Sequence, residues 1–170
     1  MVLNTLGESE TAKYYIAFAI GNLVLIIPNS LSTSLFVEGS HGEGLKMCVM
    51  RTSVACLALL IPTVLVIFLF GDRLLVLLNR EYVEAFDLLR ILILSSFLVS
   101  VYSLFIPIQN VRMRVENILK LNSIRCGFLL GLSYLFMHRY GIIGIGYGWM
   151  ITHAIIVVVI CYIAKKEEFI

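Results

Sequence analysis

Arg125 puts a permanent charge about two turns inside an otherwise apolar run, and Asn122, three residues earlier, shares its helical face. A charged side chain near mid-membrane costs roughly 2.5–3.5 kcal/mol on insertion scales, so it normally faces protein or a water-filled cavity. A guanidinium there can grip a phosphate or pyrophosphate through several donors. The competing reading is that Arg125 snorkels to the cytoplasmic headgroups. Arg51, Arg112 and Arg114 fall nearer a boundary, where contact with anionic lipid is the default and a funnel for an anionic substrate the alternative. Asn22 and Asn29 add two carboxamides to an uncharged stretch, where such groups need protein or water rather than acyl chains.

Other chemistry is weakly signalled. His153 stands alone mid-span with no second ligand three or four residues away, which fits a hydrogen-bonded bundle residue better than a metal or proton-coupling site. Glu38, His41 and Glu43 in EGSHGEGLK could suggest a metal, but three glycines in an exposed stretch read as a flexible turn. Cys48, Cys56, Cys126 and Cys161 have neither C-x-x-C spacing nor a nearby histidine and read as small hydrophobes. No G-x-S-x-G, H-E-x-x-H or Walker-type loop occurs, so neither a covalent catalyst nor a resident metal or cofactor is expected. Coupling to Na⁺ or a proton is compatible with these residues.

The elements that must carry Arg125 are set by composition. The 170 residues are 60% hydrophobic and only 14% charged, against about 45–50% and 25% in soluble domains. Mean hydropathy is +0.97. A net charge of +2, with basic residues scattered between apolar runs, implies no nucleic-acid partner. An all-α polytopic transmembrane bundle of about five spans follows, at 14–36, 52–70, 91–111, 118–137 and 142–164. Residues 1–13 read as an extracytoplasmic loop or truncated N-terminus, with no signal-peptide pattern, and 165–170, including Glu167 and Glu168, as a cytoplasmic tail.

Gly71, Asp72 and Arg73 are expected to end the second span, and 73–90 to lie at the interface. Pro28, Pro62 and Pro107 fall inside spans and are expected to bend them. Ala17 with Gly21, Gly127 with Gly131, and Gly144 with Gly148 are small-x-x-x-small pairs that predict close helix contacts. Lysine and arginine favour the side of the first loop, the third loop and the C-terminus, which puts that side in the cytoplasm.

Resemblance goes further than these physical signals. The runs YYIAFAIGNLVLIIPNSLSTSLFVEGS, LIPTVLVIFLFGDRLLVLL, EYVEAFDLLRILILSS and GIIGIGYGWMITHAIIVVVICYIAKK, in this order, resemble the C-terminal half of polysaccharide-biosynthesis membrane proteins. These are the oligosaccharide flippases of the multidrug/oligosaccharidyl-lipid/polysaccharide exporter superfamily. The resemblance implies alternating-access transport of a lipid-linked sugar, with Asn22, Asn29, Asn122, Arg125 and Arg51 as candidates to line the passage. It also implies about seven preceding helices absent here, hence a fragment or a split gene with a partner chain. A drug or cation exporter would want an acidic residue in the centre of a span, and none is present there. A lipid-modifying enzyme would have to draw on Asp72, Glu81, Glu84 and Asp87. A structural membrane subunit is the third alternative.

Overall fold

The computed structural model describes residues 2–41 and 44–166. Glu43 of the glycine-rich loop and Glu167 and Glu168 of the tail lie outside the described residues. Four long helices, α1 Val2–Ser40, α2 Leu45–Leu78, α3 Phe86–Val111 and α4 Val115–Lys166, carry nearly all of the chain, with a 3-10 helix at Arg80–Ala85. No strand occurs among the described residues. Each long helix is apolar and long enough to cross a membrane, α3 together with the 3-10 turn before it. The protein is an all-α, multi-pass bundle.

Four helices make five rods, because α4 breaks at Gly141, which adopts φ 60° and ψ −141°. That conformation is open to glycine and strained for other residues. The two arms, 115–140 and 142–166, fold back on each other. A Cβ on Gly148 would come within 2.7 Å of the Ser133 nitrogen, and one on Gly144 would run into the Phe136 carbonyl. Further along, Leu121 clusters with Ile156 and Ile160.

Neighbouring residues fix the direction of each rod. Gly21 lies against Leu92 and Gly39 against Val111, so α1 and α3 run parallel. Gly71, near the end of α2, lies against Phe86 at the start of α3, and Cys48 and Cys56 cluster with Leu104 and Ile108, so α2 runs antiparallel to α3. Gly146 lies against Leu88 and Ile91, while Phe105 clusters with Ile156 and Ile160; the second arm therefore runs parallel to α3. α3 is the central rod, with buried residues from Leu88 to Gln109. α2 turns Leu57, Leu65, Leu69 and Leu77 outward to lipid.

Several boundaries differ from the sequence reading. The first helix begins upstream of Tyr14, with a non-helical joint at Gly7 (φ 85°), because Glu10 and Lys13 pair one turn apart at 2.8 Å and carry the helix through 8–13. Gly71, Asp72 and Arg73 do not end α2. Gly71 is buried where Phe86 approaches, so the helix continues to Leu78 and stops at extended Asn79. The Asn79 side chain then accepts from the Glu81 N–H at 3.2 Å and caps the 3-10 turn. Arg90 is not an interfacial end but part of α3, its guanidinium 4.1 Å from the Phe86 ring and 5.1 Å from the Phe68 ring. All three prolines sit inside helices, Pro28 and Pro107 buried and Pro62 turned outward.

Candidate functional site

α3 carries a polar belt at the depth of Tyr102 and Ser103. On one side the Ser103 hydroxyl donates to Asn29 Oδ1 of α1 at 3.1 Å. On the other the Tyr102 hydroxyl donates to Asn122 Oδ1 of α4 at 2.5 Å. Arg125, one turn beyond Asn122, lays its guanidinium over the Tyr102 ring at 4.5 Å. Adjacent positions of α3 thus hold a carboxamide from each neighbouring helix, and one ring supplies both a hydrogen bond and a cation-binding face.

Two observations bear on the readings of Arg125. It lies ten residues beyond Val115, roughly 15 Å along the helix. Its guanidinium rests against α3 rather than reaching back to the helix end. Among the described residues no carboxylate pairs with it. A half-buried cation that meets an aromatic face and, among the described residues, no carboxylate retains N–H donors that an anionic oxygen would fit.

A bowl of about 1030 Å³ opens at the end of the bundle where α3 turns into α4, and Tyr102, Asn122 and Arg125 are not part of its wall. Arg114, Glu116, Lys120 and Lys166 stand at its rim, and Ile124, next to Arg125 in sequence, is in its wall. Lys120 is paired with Glu116 at 3.3 Å. The turn itself is held by Gln109, which is buried and accepts from Asn117 Nδ2 at 3.0 Å.

His153 is 1% exposed, with Nδ1 at 2.8 Å from the Trp149 carbonyl, so that nitrogen carries the proton and donates. Its Nε2 is buried with no hydrogen-bond partner among the described residues. It is a buried bundle histidine packed on the Trp149 ring. No group of three potential metal-ligating side chains occurs among the described residues.

The remaining candidates separate. Asn22 is exposed on α1, beside a narrow crevice formed with Gly21, Leu92 and Trp149, away from the Arg125 cluster. Arg51 is exposed on α2 and does not join the belt. Gly144 and Gly148 make the tight contact inside the α4 hairpin. Gly127 and Gly131 do not pack as expected from their spacing: a Cβ on either would meet nothing within 4 Å, because the first arm turns them outward into an open groove with Phe128 and Leu135. Glu10, Glu84 and Asp87 at the opposite end serve ion pairs. Glu84 and Glu10 both bind Lys13, and Asp87 lies 3.5 Å from Arg90. Lys13 precedes the apolar run, and hydrogen bonds from it to Glu10 and then Glu84 raise its pKa above the ordinary lysine value.

Tyr102 and Ser103 were not singled out from sequence. Their signal is the row of polar side chains in the third span, Ser96, Ser100 and Ser103 at helical spacing with Tyr102 beside it. Ser96 and Ser100 donate back to their own helix, to the carbonyls of Ile93 at 2.5 Å and Phe97 at 2.7 Å, whereas Ser103 donates across to Asn29.

No known protein family, curated protein or solved structure matches this chain.

Proposed function

We propose that this chain is part of an oligosaccharide flippase, which moves a lipid-linked sugar across the cytoplasmic membrane by alternating access, with its C-terminus in the cytoplasm. The single observation that carries the reading is Arg125, held on the Tyr102 ring within an apolar span with no carboxylate among the described residues to neutralise it. The phosphate of a lipid-linked sugar supplies the missing charge, and a hydrated sugar headgroup needs the polar surface that Asn122 and Tyr102 provide. The basic rim of the bowl concentrates the anion on the cytoplasmic side, and the lipid tail stays in the bilayer.

The substrate class in this reading is what the resemblance of the runs quoted above implies; Arg125 gives it a chemical role. Arg51, turned outward on α2, is left out of the passage, and Asn29 reaches it only through Ser103. Rocking of the helices around α3 then exposes Arg125 to one side at a time.

The test is transfer of a fluorescent lipid-linked oligosaccharide between leaflets of reconstituted vesicles, with any partner chain that co-purifies included. Arg125→Ala is expected to lower the rate at least about tenfold, the effect of losing one charge-assisted contact, and Arg125→Lys to restore part of it. Equal rates in wild type and Arg125→Ala remove Arg125 from the mechanism. No transfer by the wild type removes the flippase reading.

A further inference from the structure

The two arms of the α4 hairpin meet closely at Gly144 and Gly148. Toward their far ends, Lys120 and Ile124 of the first arm and Val159, Tyr162, Ile163 and Lys166 of the second line one open space, the bowl of about 1030 Å³. Its lining changes with depth. Arg114, Lys120 and Lys166 mark the rim. Ile124 lies nine residues beyond Val115 and Val159 seven before Lys166, so the apolar wall reaches roughly 10–14 Å below the helix ends. Tyr162, one turn inside Lys166 and 69% exposed, falls between the two zones. The end of α3 holds the rim in place. The N–H groups of Met113 and Arg114 donate to the carbonyls of Asn110 and Gln109 at 3.0 and 2.9 Å, with Met113 in the left-handed conformation (φ 57°) that closes a helix.

Charge around the bowl is unbalanced. Residues 112–120 and 163–168 contain five arginines and lysines and three glutamates, Glu167 and Glu168 of the tail included. Two cations therefore exceed the carboxylates however the pairs are made. Water or a soluble anion suits such a rim but leaves the wall of Ile124, Val159 and Ile163 wet. An acyl chain alone suits the wall and leaves the rim unanswered. A phospholipid has both parts in the required order, phosphate level with the helix ends and chains below them. The charge excess favours a headgroup of net negative charge over a zwitterionic one. A tyrosine at the depth of Tyr162 suits the boundary between headgroup and chain.

We propose that the bowl binds one bilayer phospholipid of net negative charge, with its phosphate among Arg114, Lys120 and Lys166 and an acyl chain along Ile124, Val159 and Ile163. The lipid fills the space between the arms and contacts both, so it stabilises the folded bundle by mass action. Tyr102, Asn122 and Arg125 are not in the wall of the bowl, so this lipid and an anion at Arg125 are held by different residues. The proposal requires only that the chain spans a membrane; it stands whether or not the protein transports lipid-linked sugar.

The test is lipid binding and thermal unfolding of the purified full chain in a neutral detergent, with any co-purifying partner retained. The probes are phosphatidylglycerol, phosphatidylcholine with the same acyl chains, and inorganic phosphate. Phosphatidylglycerol is expected to bind saturably and raise the thermal midpoint, and the other two are not at the same concentration. Lys120→Gln combined with Lys166→Gln is expected to weaken phosphatidylglycerol at least about tenfold, and the matching pair of arginine substitutions to retain it. Both lysines are exposed, and the pair lost, Lys120 with Glu116, is a surface pair of small worth, so the fold survives. The control is Lys46→Gln with Arg51→Gln. These are exposed cations of α2, which starts at the same end of the bundle because Leu45 and Val111 both meet Gly39, yet they do not line the bowl. The control is expected to bind as the wild type does. Equal losses from both double variants would reveal attraction to a charged surface rather than a site. Equal stabilisation by phosphatidylcholine would reveal a plain apolar groove, and equal stabilisation by inorganic phosphate a site for a soluble anion. Each of these results, like an absence of phosphatidylglycerol binding, would overturn the proposal.

Discussion

Gly148 sits directly on the backbone of Ser133: a single added carbon would come within 2.7 Å of its nitrogen and 2.9 Å of its Cα. The neighbour is backbone of the facing arm, which cannot move aside as a side-chain tip can. Gly148→Ala is therefore expected to destabilise the α4 hairpin by about 1–3 kcal/mol, the usual cost of overpacking. Gly131→Ala, one turn from the same contact zone but facing open space, is expected to leave stability unchanged or raise it by up to about 1 kcal/mol through helix propensity. Thermal unfolding of both variants in one detergent checks the pair, and equal losses would refute the assignment of the two faces.

The Tyr102–Asn122 hydrogen bond joins α3 to α4. Tyr102→Phe keeps the ring under Arg125 and removes only the donor. It is expected to cost about 0.6 kcal/mol, and no more than about 1.7, the range for interhelical bonds in membranes. Tyr102→Leu removes the ring as well and should cost more. A double-mutant cycle with Asn122→Leu should return a coupling energy near the Tyr102→Phe loss; a coupling near zero would show that the bond is not made.

How much of this was legible follows from what each feature depends on. Length and hydropathy of a run depend only on the run, so the apolar helices and the fold-back near Gly141 were readable from sequence. Helix ends at 71–73 were not, because Gly71 continues the helix on account of Phe86, a residue whose position only the folded chain defines. Spacing alone marked Gly127 with Gly131 and Gly144 with Gly148 equally, and only the rotation of each arm decides which pair meets a neighbour. Arg125 and Asn122 were found because charge and amide are conspicuous in apolar sequence. Tyr102 was missed because a tyrosine in a span ordinarily reads as bulk, and its role comes from partners twenty or more residues away.

The Lys13 cluster gives a pH dependence with a definite sign. Its pKa is raised on folding, chiefly by Glu10 and next by Glu84, so the stability it contributes is fully present below the ordinary lysine value of 10.5 and is lost as pH rises beyond it. Thermal midpoints between pH 8 and 10 should therefore show no loss from this group, with a decline only at more alkaline pH. Glu84→Gln should flatten that alkaline decline, whereas Glu81→Gln, an exposed neighbour outside the pair, should leave it as in the wild type.

Gly141 decides how many times the chain crosses. A continuous α4 of 52 residues would be about 78 Å long, more than twice the roughly 30 Å hydrocarbon core, so the helix has to turn back and Gly141 supplies the backbone conformation that lets it. The turn places Glu116 and Lys165 at one end of the hairpin and Arg139 at the other. Introduced in a background with Cys126 and Cys161 replaced, Glu116→Cys and Lys165→Cys should react with a membrane-impermeant thiol reagent from the same side, and Arg139→Cys only from the opposite side. Gly141→Val puts a β-branched side chain at positive φ and is expected to cost about 1–3 kcal/mol, seen as a lower yield of folded protein with the same sidedness in the fraction that folds. Labelling of Arg139→Cys and Lys165→Cys from one common side would mean that the second arm does not return through the bilayer, and the five-rod arrangement would be wrong.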